Sequence, residues 1–120
     1  MQDFRDLTVW RKAHALVLVV YETSQSFPKA EMFGLTSQMR RAAASIAANL
    51  AEGCGRTRRE FAHFVQLAFG SANELEYHLL LACDLKYLSA VEYDEQLRDV
   101  HEVKKMLSAL LKHVRLTLQG

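Results

Sequence analysis

The chain has 120 residues, half of them apolar, with one proline and five glycines. Turn formers this scarce argue against sandwiches and barrels and for long helices in an all-α fold. A net charge of +1 names no partner, and two cysteines without a CxxC spacing argue against a disulfide framework and for a reduced, cytoplasmic protein. The opening Met-Gln-Asp-Phe-Arg-Asp lacks the basic-then-apolar build of a signal peptide, and the apolar run from Ala15 to Tyr21 is too short to span a bilayer.

Apolar residues recur at helical spacing throughout, which predicts four helices in one domain over residues 1–120. The first helix is expected over about 4–26, with Leu7, Trp10, Ala13, Val17, Val20 and Tyr21 inward. Phe27-Pro28-Lys29 ends it, because proline removes an amide donor and restricts the residue before it. The second helix is expected over 33–54, ending at Gly53-Cys54-Gly55, where glycine can take left-handed angles. Thr57-Arg58-Arg59-Glu60 has the form of a capping box and starts a third helix over 58–87. Ser89-Ala90-Val91-Glu92 is a second box and starts the last helix, over 91–118. Turns this short make neighbours antiparallel, giving an up-down-up-down bundle. The third helix carries Phe69, Tyr77, Leu80 and Leu81 away from its main apolar stripe. A helix apolar nearly all round is buried nearly all round, so a homo-oligomer is expected.

The second helix carries Gln38, Arg41, Ser45, Asn49 and Glu52 at spacings of three and four, with Arg56 just beyond its end. That spacing places the first five on one face. Alanines fill the positions between, so these polar groups are expected to meet another helix. A hairpin turning near Gly55 puts Arg41 beside Ser71 and Glu74, Asn49 beside Phe61 to Phe64, and Glu52 beside Arg58 and Arg59. An Arg41–Glu74 ion pair across the seam is expected, and the stripe reads as an assembly code including Ser71 and Glu74.

Several motifs are distinctive in combination. They are Phe4-x-x-Leu7-x-x-Trp10, Phe27-Pro28-x-x-Glu31, Gly34-Leu35-Thr36-Ser37-Gln38-Met39-Arg40-Arg41-Ala42, Ser45-Ile46-x-x-Asn49-Leu50-Ala51-Glu52-Gly53, Gly55-Arg56 and Gly70-Ser71-x-x-Glu74-Leu75-Glu76. With these the chain resembles, over nearly its whole length, the bacterial four-helix-bundle proteins encoded in intervening sequences of 23S ribosomal RNA genes. The resemblance implies a four-helix protomer, a pentameric ring, a cytoplasmic setting and no enzyme activity. RNA association is suggested there by where the genes sit. A related branch includes the accessory protein of diversity-generating retroelements, which partners a reverse transcriptase and binds nucleic acid. That branch is strongly basic, and this chain is not.

No catalytic residues, cofactor or metal are expected. Glu60-Phe61-Ala62-His63 is a lone ExxH, whereas di-iron bundles use two with further carboxylates, and Glu60 is better explained by the capping box. Glu74 and His78 share a face without further ligands. Cys54 lies beside Arg56, which would favour its thiolate, although a structural role at a helix end is the plainer reading. From Lys29 to Glu60 there are six Lys or Arg against three acids, and the flanking stretches are neutral or acidic. The candidate nucleic-acid surface is therefore Arg56, Arg58 and Arg59, with Arg40 further along the second helix. No aromatic residues interleave with these arginines, which argues against base stacking there. The expected partners are other copies of the chain and RNA or DNA. The competing expectation is a scaffold that recruits a protein and binds no nucleic acid.

Overall fold

The computed structural model describes residues 3–119. Four α-helices make up most of it: α1 (Thr8–Ser24), α2 (Leu35–Gly53), α3 (Arg58–Asp84) and α4 (Ala90–Gln119). Among the described residues there is no strand. The first expected helix divides, because Leu7 is extended (φ −77°, ψ 122°) between a 3-10 turn at Phe4–Asp6 and α1. Asp3 caps that turn through the Arg5 amide at 2.9 Å, and Trp10 packs edge-on against Phe4 with ring centres 4.8 Å apart.

Each helix packs on two others in the cyclic order α1–α2–α3–α4, and the α2–α3 seam is the most extensive. The resulting body measures 50 × 22 × 19 Å. Its core is formed by Leu16, Val20, Met39, Ile46, Leu50, Val65, Leu75, Leu79, Val100, Val103 and Leu107, all essentially without solvent contact. Ala42 and Ala43 on α2, and Ala68 and Ala72 on α3, are equally buried. With only a methyl group at each position, the two backbones approach closely, which accounts for the density of this seam. On α1 the inward side is Val9, Ala13, Leu16 and Val20, whereas Tyr21, expected inward, is exposed.

The turns carry the expected boxes. Thr57 Oγ1 accepts from the Glu60 amide at 3.2 Å while Glu60 accepts from the Thr57 amide at 3.4 Å. Ser89 and Glu92 repeat the arrangement at 3.0 and 2.9 Å. The end of α2 departs from expectation. No described glycine has a positive φ, and Cys54 continues in helical angles (φ −65°, ψ −23°). Gly53 is needed for space instead: a Cβ there would lie 2.8 Å from Phe64 Cβ and 3.0 Å from the Phe61 ring. The left-handed position falls at the end of α3, on Lys86 (φ 68°). The Tyr87 amide donates to the Ala82 carbonyl at 2.8 Å and the Lys86 amide to the Cys83 carbonyl at 3.0 Å, which is a Schellman cap.

Glu31 explains the Phe27-Pro28-x-x-Glu31 pattern. Its Oε1 accepts from the Leu35 amide at 3.2 Å, capping a helix whose N-cap position is the side-chain-less Gly34. Its Oε2 accepts from the Tyr87 hydroxyl at 3.0 Å, and Phe27 packs on the Tyr87 ring at 5.5 Å. One carboxylate therefore ties the α1–α2 loop to the α3–α4 loop, and the hydrogen bond to it, followed by burial and its charge, pushes the Tyr87 phenol above its ordinary pKa.

Candidate nucleic-acid interface

The polar stripe of α2 separates into three parts. Its centre is a seam: the Ser71 hydroxyl donates to Ser45 Oγ at 2.8 Å, and Asn49 Nδ2 donates to the Ser45 carbonyl at 2.8 Å and to its Oγ at 3.0 Å. These bonds satisfy half-buried polar groups between two closely packed helices. The hairpin thus turns slightly later than Gly55, with Ser45 rather than Arg41 opposite Ser71. Towards the start of α2, Gln38 and Arg41 lie exposed on the outer side. The expected Arg41–Glu74 ion pair does not form. Glu74 is exposed and lies 3.9 Å from His78 on its own helix.

At the far end, Glu52 is taken by Arg56 and not by Arg58 or Arg59. Arg56 also lies 3.6 Å from Glu60 and stacks its guanidinium 5.3 Å from the centre of the Phe64 ring. Glu60 is held below the usual carboxylate range, first by its bonds from Thr57 and then by Arg56. Arg56 is thus a clasp across the turn, balanced by two carboxylates. Arg58 and Arg59 stand exposed in the first turn of α3, and among the described residues neither pairs with a carboxylate. Arg58 Nε donates to Thr117 Oγ1 at 2.9 Å, which orients the guanidinium towards the end of α4 without neutralising it.

Arg40 does not join this cluster. It lies sixteen residues before Arg56, a rise of about 24 Å along a helix. Its Nε donates to Ser24 Oγ at 2.8 Å, its Nη2 to the Tyr21 carbonyl at 3.2 Å, and its guanidinium sits 4.7 Å from the centre of the Tyr21 ring. It ties α2 to the end of α1. Tyr21 lies off the buried phase of α1, and its exposed ring receives that cation.

Burial, followed by the charge of Asp3, pushes the Cys54 thiol above its ordinary pKa, which corrects the expectation that Arg56 would favour the thiolate. His63 is exposed beside Phe64, and Glu60 is engaged by Thr57 and Arg56. Among the described residues no three His, Cys, Asp or Glu side chains converge as metal ligands, and no helix is long and apolar enough to cross a membrane.

Sequence reasoning missed two buried or bridging polar groups. Gln96 is fully buried and donates to Thr23 Oγ1 at 3.3 Å. Arg115 donates to Gln66 Oε1 at 3.2 Å across α3 and α4. Gln96 falls on the apolar phase of α4, a positional signal that its polar side chain masks. Arg115 lies on a helix whose charges cancel overall, so net charge gives no sign of it.

Four helices, a polar α2–α3 seam and an exposed arginine pair at one end describe an all-α protein. The chain belongs to the 23S rRNA-intervening sequence protein family, whose profile matches residues 5–109. It is similar in structure to a protein of unknown function from the S23 ribosomal protein family of Bacteroides thetaiotaomicron, solved as a crystal structure. The two share 26% identity with a TM-score of 0.79, over 87% of this chain and 95% of that one. No curated protein matches the sequence.

Proposed function

We propose that this chain is a non-enzymatic, cytoplasmic, self-associating bundle that serves as a nucleic-acid or ribonucleoprotein accessory through the turn between α2 and α3. The observation that carries the reading is the unequal fate of the three turn arginines. Glu52 and Glu60 are both spent on Arg56, which leaves the charges of Arg58 and Arg59 to meet phosphate. Contacts of this kind give binding that tolerates sequence and weakens with salt. The family's connection with 23S rRNA supports RNA as the first ligand to try.

The protomer in this reading is an antiparallel, up-down-up-down bundle. Contacts support that order: Arg58 meets Thr117, Gln66 meets Arg115 and Glu76 meets Lys104, so position falls along α4 as it rises along α3. Copies join through the outer side of α2 and α3 into a closed, pentameric ring. Leu67 and Tyr77 are exposed there, the latter 59%, and flank Gly70, which has no atom within 4 Å of where a side chain would begin. Exposed apolar side chains and an open glycine on one side of a helix are features an association surface would use.

A salt series of RNA binding with the full chain tests the ligand. Changing Arg56, Arg58 and Arg59 together to alanine is expected to abolish binding, and retained binding would remove the turn as the site. A second reading, a scaffold that recruits a protein partner, draws on Met32 and Phe33 at the opposite end, where Phe33 is 91% exposed. Loss of a co-purifying protein on Phe33→Ala, with RNA binding absent at physiological salt, would favour it.

A further inference from the structure

The net charge of α4 is close to zero, but its charges are segregated. Residues 90–102 hold Glu92, Asp94, Glu95, Asp99 and Glu102 against Arg98 alone. Residues 103–120 hold Lys104, Lys105, Lys112 and Arg115 with no acid at all. Acids first and bases last also suit the helix macrodipole, but that effect fades within the terminal turn. Lys104 and Lys105 lie more than ten residues from the end of α4, so the macrodipole does not explain them.

Partners sharpen the contrast. Lys104 is neutralised by Glu76 at 2.9 Å. Lys105 and Lys112 are exposed, and among the described residues neither makes an ion pair. Arg115 and Arg58 are held by the neutral oxygens of Gln66 and Thr117, which fix their directions and leave their charges intact. Ser108, Leu111, Lys112, Arg115 and Leu116 line a shallow depression of about 340 Å³ on α4. Ser108, Lys112 and Arg115 share one face at spacings of four and three.

Resting on the proposed nucleic-acid function, we infer that the phosphate-binding surface is a ridge along α3 and α4, running from Arg58 and Arg59 through Arg115 and Lys112 to Lys105. From Lys105 to Arg115 it extends about 15 Å along the helix axis. No exposed Phe, Tyr or Trp lies on this stretch of α4, so the ridge is suited to gripping the phosphodiester backbone. Its α4 members, Lys105, Lys112 and Arg115, lie off the α2–α3 surface proposed for self-association.

The test measures binding of the full chain to a single-stranded RNA and to an RNA duplex across a salt series. Lys105→Gln with Lys112→Gln removes two charges from exposed side chains that make no hydrogen bond or ion pair among the described residues. The slope of log affinity against log salt is expected to flatten by about 0.7 per lost contact on the single strand, and to flatten on the duplex as well. Arg98→Gln, in the acidic half, is expected to leave it unchanged. Helicity and oligomer mass of each variant show that the fold is kept. If the lysine pair leaves the slope unchanged while the arginine-turn variant loses binding, the ridge is overturned and the turn stands. If the wild-type chain binds neither RNA, both readings fall.

Discussion

Gly53 and Lys86 mark the two positions where the backbone and its neighbours leave least choice. A methyl group on Gly53 would press on the Cβ of Phe64, an atom fixed to the α3 backbone and unable to swing aside. Gly53→Ala is therefore expected to cost about 1–3 kcal/mol by overpacking, read as a lower urea midpoint. An unchanged midpoint would mean the two helices separate easily. At Lys86 the sign reverses. A non-glycine residue is held at φ 68° to complete the Schellman cap. Lys86→Gly is expected to stabilise by about 0.5–1 kcal/mol, seen as a raised Tm. Only part of this was legible in the sequence. The Gly53-Cys54-Gly55 cluster signals a helix end correctly, but it does not say whether glycine serves angle or space. A lysine in a left-handed cap leaves no sequence mark, because the requirement belongs to the hydrogen-bond pattern around it.

At the scale of the elements, periodicity and capping boxes predict the helices well, since both are local. Thr57–Glu60 and Ser89–Glu92 form their expected bonds within four residues. Side-chain pairing across helices was harder to read. A slightly later hairpin centre puts Ser45 against Ser71, and helix phase turns Arg41 and Glu74 to the outer surface. The α3–α4 contact offers a test at this scale. Glu76 is held below the ordinary carboxylate range chiefly by the hydrogen bond from Lys104, then by burial acting the other way and by the charges of Lys104 and His101. A carboxyl with a depressed folded pKa contributes stability above its unfolded value, near 4.5, and loses it as pH falls through the folded value. Acidification from about pH 7 to about pH 3 should therefore lower the urea midpoint more in the wild type than in Glu76→Gln. Equal losses would show that the pair has no thermodynamic weight.

For the whole molecule, the proposed function would link assembly and ligand by geometry. Self-association through the outer side of α2 and α3 would repeat the Arg58–Arg59 end around a ring, multiplying a two-arginine site into a basic annulus. Solution mass is expected at five times the 13.7 kDa protomer, and a 13.7 kDa species at micromolar concentration would contradict self-association. The turn arginines were legible in the sequence because they are contiguous. The α4 half of the surface was not, since a whole-helix tally cancels four cations against an equal acidic excess one half-helix away. The most direct test of the functional proposal is RNA affinity of the intact protein measured against salt. The prediction is binding whose logarithm falls linearly and steeply with log salt concentration. Absence of binding at low salt, or an affinity indifferent to salt, would contradict it.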